Sequence, residues 1–196
     1  GARLLALVAN SFSLAGLTAL IAVLLAVLMA YAGRLSGSRA VHAVNRCVSL
    51  GYAVPGAVIA VGVLVPLARL DNLLAGWLEQ VFGAKIGLLL TGTVVALVYA
   101  YLVRLLAVAL QTTEAGLAKI KPSMEDAARS LGASPARTLA RVHVPLLAPT
   151  LATAGLLVFV DVLKELPATF ALRPFNFDTL AIEAYNLAKD ERLAEA

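Results

Sequence analysis

The sequence has one cysteine, Cys47, and two histidines, His42 and His143. A lone cysteine excludes an internal disulfide, and in an apolar chain its ordinary role is packing. The histidines are far apart and no acidic cluster accompanies them, so no set with metal-ligand spacing can be assembled. Both are expected at an interface. No glycine-rich phosphate loop is present, and no Ser-His-Asp or Cys-His set can be argued, so no catalytic residue is assigned. Charge is scarce as well: 14% of residues are charged, and the net charge is only +4. With neither a basic stripe nor an aromatic platform, that small excess gives no reason to expect a nucleic-acid partner.

What the chain does have is apolar length. Hydrophobic residues make up 61% of it and the mean hydropathy is +0.89. Soluble domains average about 45–50% apolar and about 25% charged. Four runs carry no charge at all: Leu4–Gly33, Cys47–Ala68, Ile86–Val103 and Val144–Val160. About 20 apolar residues span a bilayer as a helix, and four such runs would overfill a soluble core. The expectation is four membrane-spanning helices and an all-α fold. The first run is too long for a signal-peptide core and has no cleavage pattern.

The loops alternate in charge. The first holds Arg34, Arg39 and Arg46 with no acid; the second holds Asp71, Glu79 and Lys85. The third, Gln111–His143, holds Lys119, Lys121, Arg129, Arg137 and Arg141 against Glu114, Glu125 and Asp126. The tail from Lys164 is net acidic. Lys and Arg concentrate on the cytoplasmic side, so loops one and three are expected inside, loop two and the tail outside. The chain starts on Gly1 and ends on the charged stretch LAKDERLAEA, which reads as a fragment of a longer protein.

The third loop carries a local pattern. Ser123 with Asp126 three residues on makes an acidic capping box, predicting a short helix over Ser123–Leu131. Met124, Ala127, Ala128 and Leu131 fall on one face of it. Gly132 suits the left-handed residue after a helix. Ser134 and Pro135 restart a helix as N-cap and first residue, and Pro145 is expected to end it at the membrane edge. Two large apolar residues make a narrow face, better suited to a protein groove than to lying on lipid.

This stretch resembles the permease signature of binding-protein-dependent ABC importers: Glu-Ala-Ala, three residues, Gly, nine residues, Ile-x-Leu-Pro. Here it reads Asp126-Ala127-Ala128, then Gly132, then Val142-x-Val144-Pro145. The spacing is kept throughout; Asp replaces Glu, and Val replaces Ile and Leu. The resemblance implies a coupling helix that docks in a groove of a separate ABC ATPase subunit. The ATPase-coupling residues it marks are Met124, Glu125, Asp126, Ala127, Ala128, Leu131, Gly132, Val142 and Pro145. ATP would be held by that partner and no cofactor by this chain.

Two further segments, SLGYAVPGAVIAVGVLVPLARLDNLL at 49–74 and KELPATFALRPFNFDTLA at 164–181, resemble permeases of ferric-iron importers. The resemblance implies a single permease domain over residues 1–196 with the type I ABC importer fold, a multi-pass helical bundle in the bacterial inner membrane. Its coupling loop would span about 111–145, and a fifth span would follow Ala196. The other implied partners are membrane lipid, a periplasmic or lipid-anchored substrate-binding protein and a second permease domain in the same full-length chain. Importers of polyamine, thiamine or sulfate share the signature and stay open as alternatives. A channel or scaffold subunit without nucleotide coupling also stays open, disfavoured by the signature.

The candidates for a transport pathway or gate are Pro55, Gly56, Asp161, Lys164 and Glu165. Pro55-Gly56 lies within the second uncharged run, where a kink is expected, either lining the pathway or serving packing. Counting ~1.5 Å per residue from Pro145 puts Asp161 about 24 Å and Lys164 about 28 Å along the fourth span. At that depth they either line the pathway or pair with one another and Glu165. Arg104 is expected near the inner end of the third span, reaching lipid phosphates. In the tail, Ile182, Tyr185, Leu187 and Ala188 fall on one face of a helix that either meets a binding protein or packs on the surface.

Overall fold

The structure is a computed structural model and describes residues 2–83 and 89–190. Nine α-helices and no strand occur among the described residues. They are α1 (Ala2–Leu35), α2 (Arg39–Ser49), α3 (Gly56–Phe82), α4 (Val94–Leu117), α5 (Pro122–Ser130), α6 (Pro135–Thr138), α7 (Val144–Leu163), α8 (Pro167–Leu172) and α9 (Leu180–Lys189). A turn of 3-10 helix covers Gly51–Ala53, and one π turn, Leu139–His143, joins α6 to α7. Four of these stretches are long and apolar enough to cross a membrane: Arg3–Leu35, Gly56–Val81, Val94–Leu117 and Pro135–Leu163.

The number of spans is as the sequence predicts, but two are displaced along the chain. The second begins at Gly56, with Pro55 as its N-cap, and not at Cys47. Pro55-Gly56 is therefore a helix start and not a kink inside a span. The proline lying inside α3 is Pro66. Cys47 belongs to α2, where it is exposed. The third span runs from Val94 past Arg104 to Leu117. Residues 86–88, where its uncharged run starts, and Lys85 lie outside the described residues.

Asp71 and Arg104 show why α3 and α4 continue past their charges: a charge satisfied in place does not end a helix. Asp71, expected in a loop, sits inside α3 and is fully buried. Its carboxylate accepts backbone N–H bonds from Leu89 (3.0 Å), Leu90 (2.9 Å) and Thr91 (2.5 Å). Those bonds hold the turn ahead of α4, which Gly92 completes at φ +74°. Glu79 is likewise helical, and α3 closes on Gly83 at φ +66°.

The chain divides into two compact units. The first comprises residues 1–18, 53–104 and 160–196. In it α8 packs on α3, and α9 is tied to the start of α1. There Leu180 N–H donates to Ser11 Oγ (2.9 Å), Asn10 Nδ2 to the Asp178 carbonyl (3.1 Å), and Arg3 pairs with Glu183 (2.8 Å). Of the predicted α9 face, Ile182 is buried and Leu187 half-buried, while Tyr185 and Ala188 are exposed. Tyr185 instead meets Phe170 edge-on at 6.0 Å.

The second unit comprises residues 19–52 and 105–159. Its interior is lined by small residues, among them Ala22 and Ala26 of α1 and Ala107 and Ala109 of α4, all fully buried. Small side chains let helix backbones approach closely where lipid supplies no hydrophobic drive. A Cβ on Gly116 of α4 would stand 2.6 Å from the Thr150 methyl of α7. The α2 helix, unforeseen in the sequence, is fastened by Asn45, whose Nδ2 donates to the Met29 carbonyl and Glu114 Oε1, both at 3.1 Å.

Candidate functional site

The polar hairpin of the third loop forms as two short helices, α5 and α6. Its first cap differs from expectation: α5 starts at Pro122 with Lys121 at the N-cap, and no side chain caps it. Ser123 is already inside the helix. The proline at the first helical position, with its preset φ, fixes the start in place of a capping box. The elbow is as expected. Gly132 adopts φ +77°, its N–H bonds the Arg129 carbonyl (2.9 Å), and Ala133 N–H reaches back to the Ala128 carbonyl (3.0 Å). That pair of bonds is the Schellman closure, which needs a left-handed residue. Ser134 then caps α6, its Oγ accepting from Arg137 N–H at 3.3 Å.

Pro145 does not end this second helix. In a regular α-helix its ring would press on the carbonyl four residues back. The preceding turn is π, with Val144 N–H bonded to the Leu139 carbonyl, so the extra residue is taken up just before the proline. The result is one continuous helical rod, Pro135–Leu163.

Of the predicted coupling residues, Met124, Asp126, Ala127, Leu131, Gly132 and Pro145 are exposed, Leu131 at 89%. Ala128 and Val142 are half-buried. Glu125 points the other way. Its side chain is 12% exposed and pairs with Arg34 of α1 (2.5 Å). His143, expected at an interface, is fully buried: its Nε2 lies 3.0 Å from Glu125, and its ring lies 5.1 Å from that of Tyr31.

The pathway candidates divide. Asp161 pairs with Lys164 (3.1 Å), as one of the two readings has it. Glu165 does not join them. It forms an ion pair with Arg104 of α4, which therefore is not a lipid-phosphate anchor at the end of a span but a residue well inside α4. Gly56 is buried beneath this pair, so that a Cβ there would meet the Glu165 carboxylate and stand 3.4 Å from Arg104 Nη1. Alongside, Tyr101 and Thr169 share a buried hydroxyl–hydroxyl bond, and Thr169 Oγ1 also donates to the Glu165 carbonyl (2.5 Å). Pro55 stays exposed beside it.

The structure thus adds Arg34, Tyr31, His143 and Arg104 to the residues of interest. A sequence signal existed for two of them: Arg34 and Arg104 are the charges that terminate the first and third uncharged runs. Nothing local marked Tyr31 or His143. No group of His, Cys, Asp and Glu able to hold a metal ion occurs among the described residues.

Residues 22–176 match the family described as binding-protein-dependent transport system inner membrane component. A Fe(3+)-transport system permease protein of Haemophilus influenzae is 30% identical over 187 residues, 95% of this chain and 34% of the relative. A protein of Salmonella typhimurium, named a "putative 2-aminoethylphosphonate transport system permease protein", is 29% identical over 146 residues, 74% of this chain and 49% of the relative. The chain thus spans from about a third to half of the length of these relatives. Among solved structures, a bacterial ABC transporter that imports the acidic polysaccharide alginate superposes with a TM-score of 0.70. That match covers 98% of this chain and 71% of the other, at 17% identity. The fold is therefore that of an ABC importer permease, an all-α bundle embedded in the membrane. With the family match extending over most of its length, this chain belongs to the binding-protein-dependent transport system inner membrane components.

Proposed function

We propose that this chain is a translocation domain of an ATP-driven importer, that its α5–α6 hairpin is the docking site of a separate ATPase subunit, and that ferric iron is the cargo. The observation that carries the docking reading is the exposed hairpin surface. Met124, Asp126, Ala127, Leu131 and Gly132 all face outward on a rigid, Schellman-closed turn. Large apolar side chains beside small ones let a partner's backbone come close, and Leu131 at 89% exposure is an anchor in need of a pocket. ATP would be held and hydrolysed by that partner, while a substrate-binding protein outside the membrane and a second permease domain complete the assembly. The domain would move its cargo by alternating access. Ferric iron is favoured because the ferric relative matches along 95% of this chain. A phosphonate anion is the second reading, from the 2-aminoethylphosphonate relative matching over 74%.

Gly132→Asp tests the docking. Apart from its two chain neighbours, no described residue lies within 4 Å of a Cβ built there, so the variant leaves the spans inserted while putting a side chain and a charge in the partner's path. It is expected to abolish co-purification of the ATPase. Normal co-purification would overturn the docking reading. Uptake of labelled ferric ion, set against labelled 2-aminoethylphosphonate, in vesicles carrying the whole transporter decides the cargo.

A further inference from the structure

The hairpin has a polar attachment and almost no apolar one. No residue of α5 is buried. Between α5–α6 and the end of α1 lies a cavity of about 200 Å³ bordered by Tyr31, Leu35, Glu125, Arg129, Ala133 and Pro135. A helix pair that buries little apolar surface is not held by packing. Its position must come from specific polar contacts, and these converge on Glu125.

One carboxylate oxygen of Glu125, Oε1, lies at ion-pair distance from both Arg34 Nε (2.5 Å) and His143 Nε2 (3.0 Å), without hydrogen-bond geometry to either. Arg34 spends the rest of its fork on the end of α4 and the turn that follows it, donating to the Leu117 carbonyl (2.5 Å) and the Ile120 carbonyl (2.7 Å). The planar guanidinium makes this three-way arrangement rigid, as a lysine could not. His143 is fully buried within the π turn, against the Tyr31 ring. Tyr31 in turn donates its hydroxyl to the Pro135 carbonyl at the start of α6 (3.1 Å). The ends of α1 and α4, α5 and the π turn therefore meet at one side chain. That side chain is 12% exposed, whereas Asp126 beside it and Leu131 at the end of α5 are exposed.

We propose that Glu125 is a positioning residue for energy coupling. It is the strut that passes displacement of the docked hairpin to the ends of α1 and α4 and to the π turn, and it is not itself a docking contact. The proposal rests on the reading of the hairpin as the ATPase docking site. Without the strut the hairpin still presents Asp126, Leu131 and Gly132 to a partner, but moves without carrying the ends of α1 and α4 with it.

The experiment uses the assembled transporter in proteoliposomes, with three readouts: ATPase co-purification, ATP hydrolysis, and substrate taken up per ATP hydrolysed. Glu125→Ala is expected to keep ATPase association within about twofold while uptake per ATP falls at least about tenfold. Glu125→Gln preserves shape and acceptor oxygen but not charge. It is expected to fall between, and it serves where the alanine variant does not insert. Arg34→Met should reproduce the uncoupling, and the double variant with Glu125→Ala should be no worse than either alone, because both remove one connection. Loss of ATPase association by Glu125→Gln, as for Asp126→Ala, would make Glu125 a docking contact and overturn the strut. Unchanged uptake per ATP in Glu125→Ala or, where that does not insert, in Glu125→Gln would overturn it too. Failure of the unaltered transporter to retain its ATPase, or of Asp126→Ala to weaken it, would instead remove the docking reading beneath.

Discussion

Arg104 and Glu165 form an ion pair that closes over Gly56, the first residue of α3. The arginine is well inside one span and the glutamate stands in the turn that follows another, with side chains 26% and 7% exposed. A charge at such a place is held by its partner, and losing that partner leaves it desolvated with nothing in return. The pair therefore decides where α4, α8 and the start of α3 meet.

Removing one partner should cost more than removing both. Arg104→Met strands the more deeply buried Glu165, an effect of about 3–5 kcal/mol for a fully buried pair and toward the lower figure here, since Arg104 is partly exposed. Arg104→Met combined with Glu165→Gln leaves no charge behind and should recover most of the loss. Thermal unfolding of the purified protein in detergent reads this directly. A double variant as unstable as the sum of the two singles would show that the pair is not coupled.

Gly56 is required by space, not by backbone freedom. A Cβ there meets the Glu165 carboxylate, and that carboxylate cannot swing aside without leaving Arg104. Gly56→Ala should destabilise by about 1–3 kcal/mol, the range for overpacking a filled site. The same substitution in the Glu165→Gln, Arg104→Met background should cost less, because the side chain it strikes is then free to move. Equal unfolding temperatures for Gly56→Ala and the parent would contradict the close approach.

The pattern of legibility follows from which interactions are local. The number of spans was readable because hydropathy is summed over some 20 adjacent residues. The Gly132 elbow and the Ser134–Pro135 restart were readable because a left-handed turn and an N-cap are decided within four residues. The ends of α3 and α4 were not. Asp71 and Arg104 look like terminators in sequence, but each is satisfied by a partner 18 or more residues away, Leu89–Thr91 and Glu165. Pro145 misled for a related reason, since the π turn that accommodates it leaves no mark in composition. Glu125 could be read from the sequence only as one coupling residue among its neighbours and not as an inward-facing one, because Arg34 and His143, beside which it lies, come from remote parts of the chain.

Asp71 offers a clean test of that view. It lies in α3 but acts on the turn before α4, where its two oxygens take the N–H groups of Leu89, Leu90 and Thr91. Asp71→Asn keeps the shape, replaces one acceptor by a donor facing those N–H groups, and should cost about 1–3 kcal/mol. The loss should be local. Amide exchange at Leu90 and Thr91 should accelerate at least about tenfold, while the amides in the middle of α7 exchange as before. Unchanged exchange at Leu90 and Thr91 would mean that the carboxylate does not hold the turn.

Gly132 separates the cost of a conformation from the cost of blocking a partner. At φ +77° with open space around it, the position resists a side chain only through backbone strain. An alanine in the left-handed region costs about 1–2 kcal/mol, while asparagine and aspartate enter that region more readily. Gly132→Ala should therefore speed exchange of the Gly132 and Ala133 amides, which close the turn onto Arg129 and Ala128, by about 5- to 30-fold, since 1.4 kcal/mol is a factor of ten. Gly132→Asn should speed it less. If the hairpin is a docking surface, the order changes when ATPase binding is measured. The two polar variants, which keep the turn but project into the partner, should bind worse than Gly132→Ala, which loosens the turn but adds only a methyl group. The same rank order in both measurements would mean that the glycine serves the turn alone and that no partner backbone approaches it.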